Sequence, residues 1–397
     1  MSPSAKPRYF AGLSRSTGFL ALASFFADVS TELLYPVLPV FLTETLKTSG
    51  GVVGLIDGAA QATQNIVQGF SGWLSDRLQR RKPIALAGYA AAALAKPLIG
   101  LSTAWPGVLG ARLLDRLGSG ARSAPRDALV AASVSEADRG KAFGLEGFGD
   151  NLGACVGPLL AVVLLNALHV PMRLLFYLAA IPGLLSVCMI ALVEERRVAV
   201  TAKAKLDISI RRFPAQYWKY LAATALFGIG NSSNSFLILQ TLDVGVSLAG
   251  TIVIYAAFNL VAALISYPAG LLSDRFGRRN LLALSLAIYL LTYIGFGATR
   301  QVVVIACCFV LYGMYQGISR SVGKALAADL VPQSVRASGL GWYTATTGLL
   351  GLFASIVAGQ LWDRAGHPAV FFYGALFAAV GIIALLGLVP AQTRAGN

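Results

Sequence analysis

The chain contains the segment GWLSDRLQRR at residues 72–81 and a second version, GLLSDRFGRR, at residues 270–279. The two segments begin 198 residues apart (270 minus 72), about half of the 397-residue chain. The same offset matches three further pairs of basic residues: Arg122 with Arg320, Arg126 with Lys324, and His169 with His367. Several matches at one offset indicate an internal duplication, so the sequence predicts two copies of one structural unit.

The composition places both copies in a membrane. Hydrophobic residues make up 56% of the chain and charged residues only 13%, about half of the ~25% that is usual in soluble domains. A soluble enzyme or a basic nucleic-acid-binding domain would need more surface charge, and a disordered chain would need lower hydrophobicity. The sequence therefore predicts a polytopic protein of the lipid bilayer, with no nucleic-acid partner.

Apolar stretches recur along the chain at the length of about 20 residues that a membrane-spanning helix needs. Twelve candidate spans lie near 17–46, 50–75, 83–101, 105–130, 140–167, 171–193, 217–243, 246–273, 280–298, 301–328, 337–362 and 368–390. They divide the chain into an N-terminal six-helix bundle (1–193), a linker (194–216) and a C-terminal six-helix bundle (217–397). The first span is too long for a signal-peptide core and is interpreted as a retained helix.

The basic residues predict how these spans are oriented. Lys and Arg exceed Asp and Glu by 32 to 18, which makes the net charge +14. The excess lies in alternate loops, after the second, fourth and eighth spans and in the long central connection. By the positive-inside rule, these loops and both termini are cytoplasmic. We expect a monomer in the inner membrane of a bacterium, with a small molecule as its substrate.

No catalytic or metal-binding pattern accompanies the spans. The four cysteines lie in apolar runs without CxxC spacing, and the two histidines lie at loop ends without metal-ligand spacing. Sequence motifs of serine hydrolases, nucleotide-binding loops and zinc proteases are absent. The sequence therefore predicts neither an enzyme nor a protein with a bound metal or organic cofactor.

The duplicated segment resembles the signature of the major facilitator superfamily, Gly-x-x-x-Asp-Arg-x-Gly-Arg-Arg, found between helices two and three and echoed between helices eight and nine. The second copy matches in full, and the first departs at Gln79, where the family usually has Gly. The resemblance covers nearly the whole chain. It implies an all-α polytopic membrane protein, with twelve transmembrane helices in two pseudo-symmetric six-helix bundles, that performs secondary active transport by alternating access.

The resemblance also implies a cytoplasmic gate. In the family, the acid of this motif latches the two halves together on the cytoplasmic side while the cavity faces outward. Asp76 and Asp274 take that place, and Arg126 and Lys324 are their expected partners, because an unpaired carboxylate is costly in lipid. The residues of the predicted gate are Gly72, Asp76, Arg77, Arg81, Arg126, Gly270, Asp274, Arg275, Arg279 and Lys324.

Two further segments resemble family motifs less completely. Residues 112–121 in the fourth span resemble Arg-x-x-x-Gly-x-Gly-x-Gly, with Arg116 in place of the first glycine. Residues 153–158 in the fifth span, GACVGP, resemble a motif associated with drug/proton antiporters, but Leu160 and Ala161 stand where a glycine pair usually follows. Small residues at four-residue spacing also serve helix packing, so both roles stay open.

Acidic residues within the first span mark the predicted coupling site, because an ionisable group in a membrane helix is costly and usually functional. Asp28, Glu32 and Tyr35 share one helix face near the membrane midplane, ahead of Pro36 and Pro39, which should kink the helix. A carboxylate in a low-dielectric site holds a proton more readily than in water, and a nearby arginine opposes this. Asp28 and Glu32 are therefore the preferred proton carriers.

Charged residues of the fourth and fifth spans extend this site. In the resembled family, helices one and four line the central cavity. An Arg112 or Arg116 that approaches Asp28 or Glu32 in one conformation only would therefore couple protonation to rocking. A permanent salt bridge within the first bundle is the alternative, and for the acids of the fifth span it is the preferred interpretation. The predicted proton-coupling and cavity charges are Asp28, Glu32, Arg112, Asp115, Arg116, Glu146 and Asp150.

The second half lacks the acids of the first span, because the offset of 198 places Leu226 and Gly230 at the positions of Asp28 and Glu32. It carries amides and aromatic residues instead, which suit recognition of substrate shape by hydrogen bonds and stacking. Aromatic core packing is the alternative for any one of them. The predicted substrate-cavity residues of this half are Asn231, Asn234, Tyr255, Asn259, Tyr312, Tyr315 and Gln316.

These features lead to three hypotheses about function. The first is proton-coupled export, by antiport, of a small organic or amphipathic compound, with the proton as coupling ion. Six acids within the spans, against Lys96, Arg112 and Arg116, favour a cationic or neutral substrate. The second is a proton symporter that imports a metabolite and binds its carboxylate through Arg112 or Arg116. The third is a non-transporting receptor or lipid-handling protein on the same fold.

Overall fold

The computed structural model describes residues 13–78, 80–135, 139–195, 213–332 and 336–390, with the backbone alone for 72–78, 139–141, 267, 271, 274 and 336–338. These ranges contain helices and no strand, which confirms the predicted all-α fold. Their helices form twelve successive units, α1 to α12. The bounds are α1, Arg15–Glu32 continued by Leu38–Val40 and Phe41–Thr45; α2, Gly50–Leu78; α3, Arg81–Leu101; α4, Trp105–Ala132; α5, Arg139–Val162 continued by Val163–Ala167; α6, Met172–Leu178 and Ala180–Ala191; α7, Ala215–Gly228 and Ser235–Asp243; α8, Leu248–Phe276; α9, Arg278–Ala298; α10, Val302–Asp329; α11, Arg336–Ala365; and α12, His367–Leu388.

The two halves repeat each other helix by helix. Adding 198 to both bounds of α2, Gly50–Leu78, gives those of α8, Leu248–Phe276. The same shift brings α3 and α4 to within one residue of α9 and α10 at each end. The internal duplication that the basic residues indicate is therefore confirmed by the matching helix bounds of the two halves.

Matching interruptions divide α1 and α7. The first part of α1 ends at Glu32, and the helix resumes at Leu38, as Pro36 and Pro39 predict. The first part of α7 ends at Gly228, and the helix resumes at Ser235, so residues 229–234 overlap the gap in α1 once the offset is applied. Interrupted helices leave backbone and short polar side chains available in the interior of a membrane protein.

Glycines fix which face of α4 turns inward. A Cβ on Gly118 would lie 2.5 Å from the carbonyl oxygen of Gly88 in α3, and one on Gly120 would lie 2.7 Å from that of Gln64 in α2. The backbone of α10 approaches α8 in the same way at Gly317. The helix α4 is therefore packed directly on α3 at Gly118 and on α2 at Gly120, and α10 is packed on α8 at Gly317. Polar side chains of α4 and α10 face the centre of the molecule.

Eight of the described helices are long and apolar enough to cross a membrane. The four units outside this group are α1 and α7, which are interrupted, and α2 and α4, which carry polar side chains toward the centre. The prediction of a polytopic membrane protein is confirmed by these helices. The less apolar units are therefore those that line the space between the halves, where polar side chains are needed.

Packing of α2 on α11 and of α5 on α8 joins the two halves, and local contacts distinguish the two ends of the bundle. The end of α6 lies beside the start of α1, where the Glu194 N–H donates to Ser16 Oγ at 3.2 Å; this end, which also holds residues 13 and 390, is called the termini end. At the opposite, far end, the Asp363 carboxylate of α11 accepts the N–H groups of Gly50 and Gly51 at the start of α2, each at 2.8 Å. The far end is therefore closed by contact between α2 and α11.

Replacing Gly54 with alanine is expected to push α2 away from α11, because the added Cβ would overlap the carbonyl oxygen of Ser355. Overpacking of this kind costs about 1–3 kcal/mol, so thermal unfolding in detergent should shift to lower temperature. The matched control is Gly69→Ala on the same helix, where the nearest atom, the Cα of Gly341, is 4.0 Å away. Equal melting temperatures for the two variants would contradict a tight contact at Gly54.

Candidate functional site

A cavity of about 710 Å³ lies between the two halves, within the range of pockets that hold small organic ligands. Its walls come mainly from α1, α2, α4 and α5 of the first half and from α7, α8, α10 and α11 of the second. Toward the termini end it reaches Arg320 and Lys324, whose side chains are exposed. Because α2 and α11 close the far end, the cavity opens toward the termini end.

The acids of α1 face this cavity. Glu32 Oε2 accepts a hydrogen bond from the hydroxyl of Tyr255 in α8 at 3.2 Å. The ring of Tyr255 also stacks on that of Tyr35, with centroids 5.5 Å apart. One turn earlier, Asp28 Oδ1 lies 4.0 Å from Arg122 Nη2. The Glu32 contact therefore joins the two halves, whereas the Asp28 contact stays within the first.

The arginine beside Asp28 in this arrangement is thus Arg122, whereas Arg112 and Arg116 lie within electrostatic range of Glu32. The guanidinium of Arg122 lies 4.2 Å from the ring centroid of Tyr89 in α3, which holds it in place. Sequence reasoning used Arg122 only as a marker of the repeat. The helical spacing of residues 112, 116, 119, 122 and 126 along α4, all of which line the cavity, was the signal that could have identified it.

Asp115 does not line the cavity, which corrects its assignment as a cavity charge. Its carboxylate is buried in the wall, where Oδ1 lies 2.9 Å from Lys96 Nζ and Oδ2 lies 3.0 Å from Arg112 Nη1 and 3.1 Å from Arg116 Nε. Arg112 continues this chain of charges to Asp57, with Nη2 3.5 Å from Oδ1. Asp115 therefore pairs with three cations within the first half, a structural arrangement.

Asp57 of α2 links the halves from the other side. Its Oδ2 accepts hydrogen bonds from the hydroxyl of Ser233, at 2.9 Å, and from that of Ser235. Both serines belong to the gap and restart of α7, and the Ser233 N–H also donates to Ser355 Oγ of α11 at 3.1 Å. The interruption of α7 is thereby held in place by a carboxylate of the first half.

Glu146 is the second predicted cavity charge that lies in the wall. It accepts a hydrogen bond from Ser24 at 2.6 Å and forms an ion pair with Arg126, with Nη1 and Oε1 2.9 Å apart. Asp150 does line the cavity, and its Oδ1 lies 3.9 Å from the same Nη1. These contacts correspond to the static pairing preferred for the acids of the fifth span. Arg126, expected in the gate, is engaged by acids of its own half.

The second half contributes neutral side chains to the cavity. The hydroxyl of Tyr312 donates to Asn234 Oδ1 at 2.7 Å, which orients this amide at the edge of the α7 gap. Tyr312 and Tyr315 also pack against each other, with ring centroids 5.4 Å apart, so cavity lining and aromatic packing coexist. All seven residues predicted for this half line the cavity: Asn231, Asn234, Tyr255, Asn259, Tyr312, Tyr315 and Gln316.

The predicted gate is described only in part. Four of its positions lie outside the described side chains: Gly72, Asp76, Arg77 and Asp274. Arg81 and Arg279, which correspond through the offset, donate to carbonyls of their own half, at Ala128 (3.5 Å) and Leu386 (2.8 Å). Gly270 and Arg275 lie near the termini end of α8. The latch between the halves stays a prediction.

Known proteins share this architecture. A family model described as Major Facilitator Superfamily matches residues 20–240 and 220–397. An uncharacterized MFS-type transporter of Methanocaldococcus jannaschii is 30% identical over 94% of this chain and 95% of its own length, and the maltose permease of Geobacillus stearothermophilus is 27% identical over 92% of both. The crystal structure of a single-residue mutant of the nucleoside transporter NupG matches at a TM-score of 0.80 over 95% of this chain and 100% of its own, at 14% identity, which is a likeness of fold.

Proposed function

The chain belongs to the major facilitator superfamily, a family of secondary transporters, and from that premise we propose that it couples the movement of a small organic solute to that of protons. Glu32 is the principal proton carrier in this proposal. The observation that supports it is the 3.2 Å hydrogen bond from Tyr255 to Glu32, which connects α8 to α1 across the cavity. A titratable group at such a contact can link its protonation to the relative position of the halves.

The charge of Glu32 acts on both halves at once. It lies within electrostatic range of Arg112 and Arg116 in α4 and of Arg320 in α10. When Glu32 is ionised, its attraction for these arginines favours the arrangement in which α1, α4 and α10 lie close together. Protonation removes that attraction and so changes the free-energy difference between two arrangements of the halves, which is what coupled alternating access requires.

We infer the orientation from the loops. Described basic residues between α2 and α3 (Arg80, Arg81 and Lys82) and at the start of α9 (Arg278 and Arg279) lie at the termini end, so the positive-inside rule makes that end cytoplasmic. The cavity then opens to the cytoplasm, and transport would require the α2–α11 contact at the far end to open. In this proposal the protein works as a monomer in a bacterial inner membrane.

The test is proton flux in proteoliposomes that contain a pH-sensitive dye and are challenged with sugars, nucleosides, organic acids and lipophilic amines. We expect the wild type to move protons with at least one solute class and Glu32→Gln to lose that response. Unchanged coupled flux in Glu32→Gln would overturn Glu32 as the proton carrier, and unchanged flux in Asp28→Asn as well would exclude both acids of α1. The sign of the flux separates antiport from symport, and a receptor or lipid-handling protein would show no solute-dependent flux.

A further inference from the structure

We infer that the substrate is a small organic anion, with a carboxylate or phosphate group that binds between the arginines of α4 and Arg320 of α10. The inference concerns the cavity of the proposed transporter, and its consequence for coupling rests on the proposed role of Glu32. Four features of the cavity carry it: the balance of lining charges, the unpartnered donors, the symmetric placement of the basic residues and the position of Glu32 among them.

The balance of charges in the cavity is the reverse of the one counted along the sequence. Six basic residues line it, Arg112, Arg116, Arg122, Arg126, Arg320 and Lys324, against four acids, Asp28, Glu32, Asp57 and Asp150. Two of the six acids counted within the predicted spans, Asp115 and Glu146, do not line the cavity and are buried in its wall. A lining with excess positive charge attracts anions and repels cations. This argues against the cationic substrate that the sequence favoured.

The guanidinium groups of α4 retain hydrogen-bonding capacity. Arg116 Nη2 and Arg122 Nη1 are buried, and each lacks a hydrogen-bond partner among the described residues. The other contacts of Arg116, to Asp115 and Gln64, use Nε and Nη1. A guanidinium offers five donors in a planar fork that matches carboxylate and phosphate oxygens. An anionic group in the cavity would satisfy both donors.

The basic residues face the cavity from equivalent places in the two halves. The offset of 198 relates Arg122 to Arg320 and Arg126 to Lys324, and all four line the cavity. Whereas Arg126 is paired with Glu146, Arg320 and Lys324 form no ion pair within the described part of the chain. Close backbone contacts at Gly118 and Gly120 of α4 and at Gly317 of α10 fix the orientation of these two helices. An anion at this level would touch both halves at once.

Glu32 lies among the groups that would bind this anion. The charged and titratable groups that face it are Arg112 and Arg116 of α4, Cys155 of α5, Tyr255 of α8, Arg320 of α10, and Asp28 and Tyr35 of its own helix. An ionised Glu32 competes with the substrate for Arg116 and Arg320, whereas a protonated Glu32 leaves them to it. Proton and anion therefore bind together, and the coupling is symport.

The experiment measures ligand-induced thermal stabilisation and affinity of the purified protein with two matched sets of probes. One set is gluconate and glucose 6-phosphate beside glucose and glucosamine, and the other is benzoate beside benzamide and benzylamine. We expect stabilisation by anions alone, with affinity that falls from mildly acidic to mildly alkaline pH. Stabilisation by neutral or cationic members to the same degree, or by no anion at millimolar concentration, would overturn the inference. Comparison of the carboxylates gluconate and benzoate with glucose 6-phosphate shows which anionic group is bound.

Arg320→Gln supplies the site-specific test. Because Arg320 is exposed, its substitution should leave folding intact and weaken the responding anion about tenfold or more, as expected for loss of a charged contact. The control is Arg300→Gln, whose side chain is 80% exposed outside the cavity. Equal affinity in both variants would contradict a site at Arg320.

Glu32→Gln separates the inference from the proposed function. This variant should bind the responding anion with an affinity that no longer depends on pH. If a neutral solute is transported with Glu32-dependent proton flux, the anion inference fails and the proposed coupling stands. If anions bind at Arg320 but proton flux is unchanged in Glu32→Gln, the proposed coupling fails and the anion site stands.

Discussion

Asp115→Asn is expected to destabilise the protein by about 3–5 kcal/mol, the usual cost of removing one partner from a buried ionic network. The carboxylate of Asp115 lies 2.9 Å from Lys96, 3.0 Å from Arg112 and 3.1 Å from Arg116, and its side chain is only 1% exposed. Asparagine removes the negative charge with which these three cations pair. The measurement is the free energy of unfolding of the purified protein in detergent.

Asp150→Asn is the matched control for this effect. Asp150 is also an acid of a helix in the first half, but its side chain is 47% exposed and its oxygen lies 3.9 Å from Arg126. A pair of that kind contributes at most about 1 kcal/mol. In the Asp115→Asn background, Lys96→Met should recover part of the lost stability, because it removes one uncompensated cation. Similar losses for Asp115→Asn and Asp150→Asn would refute the structural role.

Glu32→Gln is expected to abolish proton-driven accumulation of the substrate while solute exchange across the membrane continues. A coupling free energy of about 1–3 kcal/mol between two binding events corresponds to about 5- to 150-fold in an equilibrium constant, and in this proposal the charge of Glu32 supplies that coupling. Glutamine is uncharged at every pH, and the variant carrier can still bind solute and change conformation. It can no longer respond to the proton gradient.

The comparison of accumulation with exchange is what identifies a coupling residue. A merely structural Glu32 would lose both activities together on substitution, whereas a proton carrier loses only accumulation. Glu44→Gln is the control, since Glu44 is exposed in the last turn of the same helical unit and outside the cavity. Tyr255→Phe removes the hydroxyl that donates to Glu32 and should weaken coupling less than Glu32→Gln. Uphill accumulation by Glu32→Gln at the wild-type level would refute the assignment.

Much of the architecture was predictable because its signals are local. Hydropathy along the chain located the helices, the offset of 198 identified the duplication, and Pro36 and Pro39 predicted the break in α1. The prediction of a transporter of the major facilitator fold, and not an enzyme, is confirmed by the family match and by the relatives. Export, antiport and the latch at the duplicated motif stay predictions.

The candidate site was predictable in part. The amides and aromatic residues of the second half line the cavity as expected, and so do Asp28 and Glu32. Asp115 and Arg116 show the limit of such reasoning, because they are neighbours in sequence and point about 100° apart on a helix. Only the packing of α4 on α3 reveals that the acid faces Lys96 in the wall while Arg116 reaches the cavity.

By itself, the sequence determined the membrane class, the helical repeat, the family and the polar faces of the inner helices. The membrane class, the repeat and the polar faces follow from composition, periodicity and spacing, and the family follows from the resemblance of the duplicated segment to the family signature. Only the tertiary structure decided which charged side chains pair with one another and which remain available to bind a ligand. That partition depends on pairs such as Asp57 with Ser233 and Glu32 with Tyr255, 176 and 223 residues apart. Electrostatic energy depends on distance in space, which the packing of α1, α4, α8 and α10 sets.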